Sequence, residues 1–346
     1  FFSEKISFYF FKTTEYVYWI NFISLGVAFS LIGNAQTVWL QGNRQTKDLA
    51  LVKIFSAIAS ATIIIPLILW KGIEVLPLAI ISLPIATALI SLLYTNVFRL
   101  EYLKFFRIER FKYHLNALVT FGFALMLTGV LTNLSQLFVR YILIDEVGPI
   151  ELGYFQASWI ISMTYIGFLV SAMSSDFYPN LMQKIESKKL SNFFVNEQIE
   201  IALLLISPLL IGVVCFAPEL IFILYSNEFG GSIEILRWQI LGDIFKVVTF
   251  PLGFILLAKG KSKLFFLTVL LWNLLYISLV YFGAPELGIK VTGYAFFITY
   301  LMFFVLLLFL VKPINGLQIS TKNKIMICSL FIGVLSIIIM SYFSEV

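Results

Sequence analysis

The sequence predicts an all-α polytopic membrane protein with about ten transmembrane helices. Of the 346 residues, 60% are hydrophobic and only 12% are charged, whereas about 25% of the residues in a soluble domain are charged. Apolar segments long enough to cross about 30 Å of hydrocarbon recur along the whole chain. These segments lack the period-two alternation of barrel strands, so we expect them to be helices.

The predicted spans form three groups along the chain. Three short-looped spans come first, at 16–40, 49–70 and 75–97. A basic segment, 99–116, follows, and its Lys and Arg alternate with Leu, Phe and Tyr as in an interfacial amphipathic helix. Six further spans cover 117–139, 154–176, 197–217, 234–258, 264–283 and 291–311, and a last span covers 325–343.

The distribution of Lys and Arg predicts the orientation of these spans. Nearly all loop cations fall in the loops 41–48, 99–116, 177–196, 259–263 and 312–324. The opposite loops carry mainly acidic residues. By the positive-inside rule the first set is cytoplasmic. The net charge of +5 reflects this rule, and no nucleic-acid partner is expected.

Several functional classes are excluded by what the sequence lacks. Both cysteines, Cys215 and Cys328, sit in apolar runs, and no metal-ligand spacing exists. The single histidine, His114, lies in a basic segment, so no His-based metal site or triad is expected. The chain has no GxxxxGK[ST] phosphate loop and no connection long enough for a soluble catalytic domain. We therefore expect a protein that is not an enzyme and has no cofactor.

Two charged residues interrupt the span at 234–258, in "WQILGDIFKVVTF". A charge in lipid costs a few kcal/mol or more, so Asp243 and Lys246 must be shielded. They are three residues apart and share a helix face, so they can pair. Gln239, one turn before Asp243, lies on that face too. The group is either a structural ion pair or the wall of a cavity.

Three segments together resemble a known family. They are "LIGNAQTVWLQGNRQTKDLALVKI" (31–54), "VGPIELGYFQASWIISMTYIGFLVSAMSSDFYPNLMQKI" (147–185) and "LIFILYSNEFGGSIEILRWQILGDIFKVVTFPLGFILLAKGKSKLFF" (220–266). They are similar to the Wzx-type flippases of O-antigen and enterobacterial common antigen. That family belongs to the multidrug/oligosaccharidyl-lipid/polysaccharide exporter superfamily. The WQ-x-x-GD-x-x-K pattern is the most specific piece.

The resemblance implies a two-lobe exporter fold of twelve helices. The ten spans would be helices four to thirteen of that pattern. On this basis 1–112 is the remainder of the N-terminal lobe, 113–311 is the C-terminal lobe and 312–346 is an extra C-terminal span. The chain starts "FFSEKISFYFF", without Met or a signal peptide. We therefore expect a fragment that lacks its true N-terminus.

The resemblance also implies a function and its partners. The expected activity is translocation of an undecaprenyl-pyrophosphate-linked oligosaccharide across the bacterial inner membrane. Expected partners are this lipid-linked oligosaccharide, membrane lipids, a polysaccharide polymerase and a chain-length regulator. A cation-coupled multidrug exporter of the same superfamily and an O-antigen polymerase or ligase are the alternatives.

Other polar residues become site candidates through this resemblance. Asp243 is the candidate for ion coupling, being the clear mid-span carboxylate. Arg140 either snorkels to the outer headgroups or contacts pyrophosphate or sugar. Asn34 and Gln156 are candidates for sugar hydroxyls, or alternatively for hydrogen bonds between helices.

Overall fold

The computed structural model describes residues 2–11, 13–15, 17–43, 45–95 and 108–344. In these residues the chain forms α-helices with short 3-10 and π turns, and no strand. The chain divides into two compact units, Phe1–Tyr113 and His114–Val346. The all-α prediction is confirmed for the described residues.

The described part of the first unit contains four complete helices. They are α1 (Ser3–Phe11), α2 (Val17–Gly42), α3 (Thr46–Lys71) and α4 (Leu76–Tyr94), with a 3-10 turn at Gly72–Val75.

Glycines in α2 allow α2 and α4 to pack closely. A Cβ atom on Gly26 would lie 2.6 Å from the side chain of Ile81, and one on Gly33 would lie 3.3 Å from the backbone nitrogen of Ala88. Small residues that let two helix backbones approach are typical of helix association in membranes. A buried hydrogen bond from the Ser91 hydroxyl to Gln36 joins the same two helices.

The second unit contains the remaining helices. They are α5 (Ile108–Glu146, whose first turns precede the boundary between the units), α6 (Pro149–Ala172), α7 (Tyr178–Lys184), α8 (Lys188–Cys215), α9 (Ala217–Leu224), α10 (Gly231–Ala258), α11 (Ser262–Leu287), α12 (Val291–Asn315) and α13 (Thr321–Ser344). A π turn at Met173–Phe177 joins α6 to α7.

Helix α10 is the centre of the second unit. It packs against α6, α8, α9, α11, α12 and α13. In its apolar 18-residue stretch, 89% of the residues are buried. A helix that is apolar on all sides is expected in such a position. Three charged residues of α10, Arg237, Asp243 and Lys246, are accordingly buried.

The long helices agree with the predicted spans. Ten helices, α2 to α6, α8 and α10 to α13, overlap the ten predicted ranges. By length and composition, eight segments of the described residues could cross a membrane; one of them, Ser262–Asn315, contains both α11 and α12, and α6 is not among the eight. The chain is a multi-pass membrane protein.

The predicted interfacial helix 99–116 falls partly outside the described residues. Residues 96–107 are not described, and the part from residue 108 onward is the beginning of α5. The predicted lobe boundary at 112/113 lies within that helix.

We expect Gly293→Ala to destabilise the second unit, because α12 meets α10 there without space for a methyl group. A Cβ atom on Gly293 would lie 2.9 Å from the carbonyl oxygen of Ile235 and 3.0 Å from the Cβ of Trp238. Overpacking of this kind costs about 1–3 kcal/mol. The measurement is the fraction of monodisperse protein left after heating in detergent.

Gly333→Ala in α13 is the matched control, because no atom lies within 4 Å of its added Cβ. Equal fractions of monodisperse protein after heating for both variants would contradict the tight contact between α10 and α12.

Candidate functional site

The carboxylate of Asp243 is fully buried and is held mainly by two hydroxyl groups of α6. Its Oδ2 accepts hydrogen bonds from the Ser162 Oγ at 2.7 Å and the Tyr165 Oη at 2.5 Å. Ser162 and Tyr165 are three residues apart, so α6 presents both hydroxyls on one face. The Nζ of Lys246 is farther away, at 3.7 Å from Oδ1. Asp243 therefore has two hydrogen-bond donors that do not depend on Lys246.

The ammonium group of Lys246 is surrounded by soft and aromatic partners. Lys246 is 4% exposed, and its Nζ donates to the sulfur of Met163 at 3.0 Å. The same nitrogen lies 5.3 Å from the ring centre of Phe296 and 5.4 Å from that of Tyr300. Both distances are within cation–π range. These partners are uncharged, so they stabilise the ammonium group without neutralising it.

Lys246 also lines a cavity of about 360 Å³ inside the second unit. Helices α5, α6, α10, α11 and α12 form the walls. The aromatic part of the wall includes Trp159, Trp272 and Tyr300. Lys246 is the charged residue among the described residues of this wall, which contain no Asp or Glu. The cavity therefore presents a positive charge, while the Asp243 carboxylate is turned toward α6.

A polar stripe on α5 faces the same cavity. Thr128, Thr132 and Gln136 recur every fourth residue and all line the wall, as expected for one face of a helix. The Gln136 side chain is 7% exposed, and neither its oxygen nor its nitrogen has a hydrogen-bond partner among the described residues. A buried amide without a partner costs about 1–3 kcal/mol, so a polar ligand that hydrogen-bonded to Gln136 would gain free energy.

Asn273 on α11 completes the polar lining. It is 1% exposed, its Nδ2 donates to the carbonyl oxygen of Val269 at 2.8 Å, and its Oδ1 has no partner among the described residues. Together with Gln136 it offers both donors and acceptors to neutral polar groups.

Arg140 continues the α5 stripe one turn farther along and connects α5 to α6. Its Nε and Nη2 donate to the Oε1 of Gln156 at 3.3 and 3.1 Å. The structure thus brings together two residues that the sequence proposed separately. Arg140 is only partly buried.

The other two candidates are not among the residues that line the cavity. Gln239 is fully buried on α10, and its amide has no hydrogen-bond partner among the described residues, but it does not line the cavity. Asn34 belongs to the first unit, where it is exposed and its Nδ2 donates to the Ser30 hydroxyl at 3.3 Å.

The family is identified by a match between the chain and a protein-family sequence profile. The profile described as "Polysaccharide biosynthesis protein" matches residues 1–234, which is more than half of the chain. The chain belongs to this family. Its curated relatives include the Lipid III flippases of Escherichia coli (strain K12) and Shigella flexneri, each 24% identical over 179 residues. Those alignments cover 52% of this chain and 43% of each flippase, so the chain matches less than half of the relatives' length.

The fold of this family member is also similar to solved exporter structures. It matches the Lipid II flippase MurJ in its inward closed conformation with a TM-score of 0.66, at 16% identity, over 95% of this chain and 68% of MurJ. It matches a MATE structure in complex with MaL6 with a TM-score of 0.68, at 15% identity, over 91% of this chain and 70% of that one. The predicted exporter-type fold is confirmed.

Sequence analysis missed several residues of the site. Thr128, Thr132 and Gln136 precede the predicted candidate Arg140 at intervals of four residues, and this spacing is visible in the sequence. By contrast, Ser162 and Tyr165 lie about 80 residues before Asp243, and nothing in their local pattern indicates that they bind it.

Proposed function

We propose that the protein is a flippase that moves an undecaprenyl-pyrophosphate-linked oligosaccharide across the bacterial inner membrane. The observation that carries this proposal is the cavity wall, in which a buried Lys246 stands among neutral hydrogen-bonding side chains. A cation suits a pyrophosphate, and amides and hydroxyls suit sugar hydroxyl groups. Family membership and the flippase relatives support the same activity.

The distance between Lys246 and Asp243 is compatible with a moderate attraction of Lys246 for an anionic substrate. A flippase must bind its anionic headgroup and then release it. Asp243, at 3.7 Å from the Lys246 Nζ, reduces the net charge without forming a close ion pair. A substrate phosphate would therefore compete with Asp243 for Lys246.

Asp243 is our candidate for coupling transport to a proton or sodium gradient. When a substrate phosphate binds the ammonium group of Lys246, the buried Asp243 carboxylate no longer has this ammonium group as its counter-charge. A buried carboxylate without a counter-charge favours a bound cation or proton. Substrate and coupling ion would thus affect each other through this pair.

The remaining parts of the proposal concern organisation and partners. We assign 1–112 to an N-terminal lobe, 113–311 to a C-terminal lobe and 312–346 to an additional span. The glycan is an O-antigen repeat unit or a related oligosaccharide. A polysaccharide polymerase and a chain-length regulator would then act after the flippase.

A cation exporter is the second candidate, since the fold also matches a MATE structure. Such an exporter would need a carboxylate facing its ligand. Here the described cavity wall offers an ammonium group, while Ser162 and Tyr165 occupy one oxygen of Asp243. The site therefore fits an anion better than a cation.

Complementation distinguishes the two candidates. Expressed in a bacterial strain that lacks its own oligosaccharide flippase, the protein is expected to restore surface polysaccharide. In a strain without drug exporters, it is expected to leave resistance to cationic drugs unchanged. Drug resistance without restored polysaccharide would overturn the flippase proposal, and the protein level in the membrane is the control in both strains.

A further inference from the structure

A second, mainly apolar groove lies between α12 and α13. Its volume is about 530 Å³. Phe304, Leu308 and Phe309 of α12 form one wall, and Ile327 of α13 forms part of the other. Phe309 is 74% exposed, so the groove is open on the outer surface of the helix bundle. An acyl chain matches such a surface.

Two lysines stand at one end of this groove. Lys312 lies in the last turn of α12 and Lys324 in the first turn of α13, and both line the groove. Both are exposed, and neither has a carboxylate within ion-pair distance among the described residues. By contrast Lys322, two residues before Lys324, is paired with Glu200 at 2.5 Å. The groove thus has an apolar body and an unneutralised cationic end.

We propose that this groove binds an anionic phospholipid from the leaflet on the lysine-rich side, which the sequence predicts to be cytoplasmic. Its phosphodiester lies between Lys312 and Lys324, and one acyl chain lies along Phe304, Leu308 and Ile327. Basic pockets between transmembrane helices on the cytoplasmic side are suited to anionic headgroups.

The groove is separate from the Lys246 cavity. Tyr300, Phe303 and Leu307 face the cavity, whereas Phe304, Leu308 and Lys312 face the groove. At about 100° per residue, these two sets occupy different faces of α12. A headgroup bound at Lys246 would have α12 between it and the groove. The groove ligand is therefore a membrane phospholipid rather than the transported substrate, and the inference does not depend on the proposed function.

Bound lipid would connect the cytoplasmic ends of α12 and α13. The segment between α12 and α13 is held by α8. Asn196 of α8 donates to the Gln318 carbonyl oxygen and accepts from the Ser320 backbone nitrogen. A lipid in the groove adds contacts between α12 and α13. Binding is thus expected to raise the thermal stability of the chain.

The test compares binding of phosphatidylglycerol and phosphatidylcholine to the purified chain in detergent, by native mass spectrometry. We expect retained phosphatidylglycerol and little phosphatidylcholine. The double variant Lys312→Gln with Lys324→Gln should bind phosphatidylglycerol roughly twentyfold to thirtyfold more weakly, from about 1 kcal/mol for each lysine near anionic lipid. Lys312→Arg with Lys324→Arg should retain binding, because both charges remain.

Lys322→Gln is the matched control, since it removes one cation from the same helix but one that Glu200 already neutralises. It should leave phosphatidylglycerol binding unchanged. Equal binding of the two lipids, or equal weakening by Lys322→Gln, would overturn the proposal. Displacement of phosphatidylglycerol by equimolar undecaprenyl pyrophosphate would also overturn it, because the groove would then be a substrate site.

Discussion

Replacing Asp243 by alanine is expected to remove most of the folded protein from the membrane. The change leaves the Lys246 ammonium group buried without its carboxylate and deprives the Ser162 and Tyr165 hydroxyls of their acceptor. Breaking a buried ion pair costs about 3–5 kcal/mol in soluble proteins, against a total stability of about 5–15 kcal/mol. The measurement is the amount of monodisperse protein extracted from membranes, relative to the wild type.

Two further variants separate charge from packing at Asp243. Asp243→Asn keeps an oxygen acceptor for both hydroxyls, so it should accumulate to an intermediate level. Asp243→Ala combined with Lys246→Ala removes the uncompensated ammonium group and should recover much of the lost protein. Wild-type levels of the Asp243→Ala single variant would show that the buried pair contributes little to folding.

Replacing Lys246 by methionine is expected to have the opposite pattern, with normal protein level and lost export. Methionine preserves the apolar part of the side chain, and Asp243 keeps its hydrogen bonds from Ser162 and Tyr165. A hydrogen bond to a charged group contributes about 1.5–3 kcal/mol, so substrate binding should fall at least about tenfold. Lys246→Arg should retain part of the activity, since a cation remains in the cavity.

The readout for Lys246 is complementation of a flippase-null strain, normalised to the protein level in the membrane. Full export by Lys246→Met, or by the double alanine variant, would mean that the pair is only structural. Thr249→Ser is a matched control on the same helix, because it alters a neutral residue of the cavity wall but keeps the hydroxyl that donates to the Lys246 carbonyl oxygen at 2.7 Å. It should export at close to the wild-type level.

The family and the general architecture are determined to a large extent by the sequence itself. Apolar segments of about 20 residues specify membrane helices because lipid cannot satisfy backbone polar groups in other conformations. For the same reason the ten predicted ranges fall on ten long helices. The shared face of Asp243 and Lys246 also follows from the local helical repeat.

The environment of each charged side chain was decided only by the tertiary structure. Apart from its few charged and amide residues, helix α10 is apolar on all sides, so its apolar pattern does not distinguish the side that meets α6 from the side that meets the cavity. Contact of α12 with α10 at Gly293, where a Cβ would not fit, helps to fix how α10 is placed. With this packing the Asp243 carboxylate meets hydroxyls of α6, whereas Lys246 lies at a cavity wall. Contacts between helices far apart in the chain leave no local periodic signal. They depend on where small side chains allow two helix surfaces to approach each other.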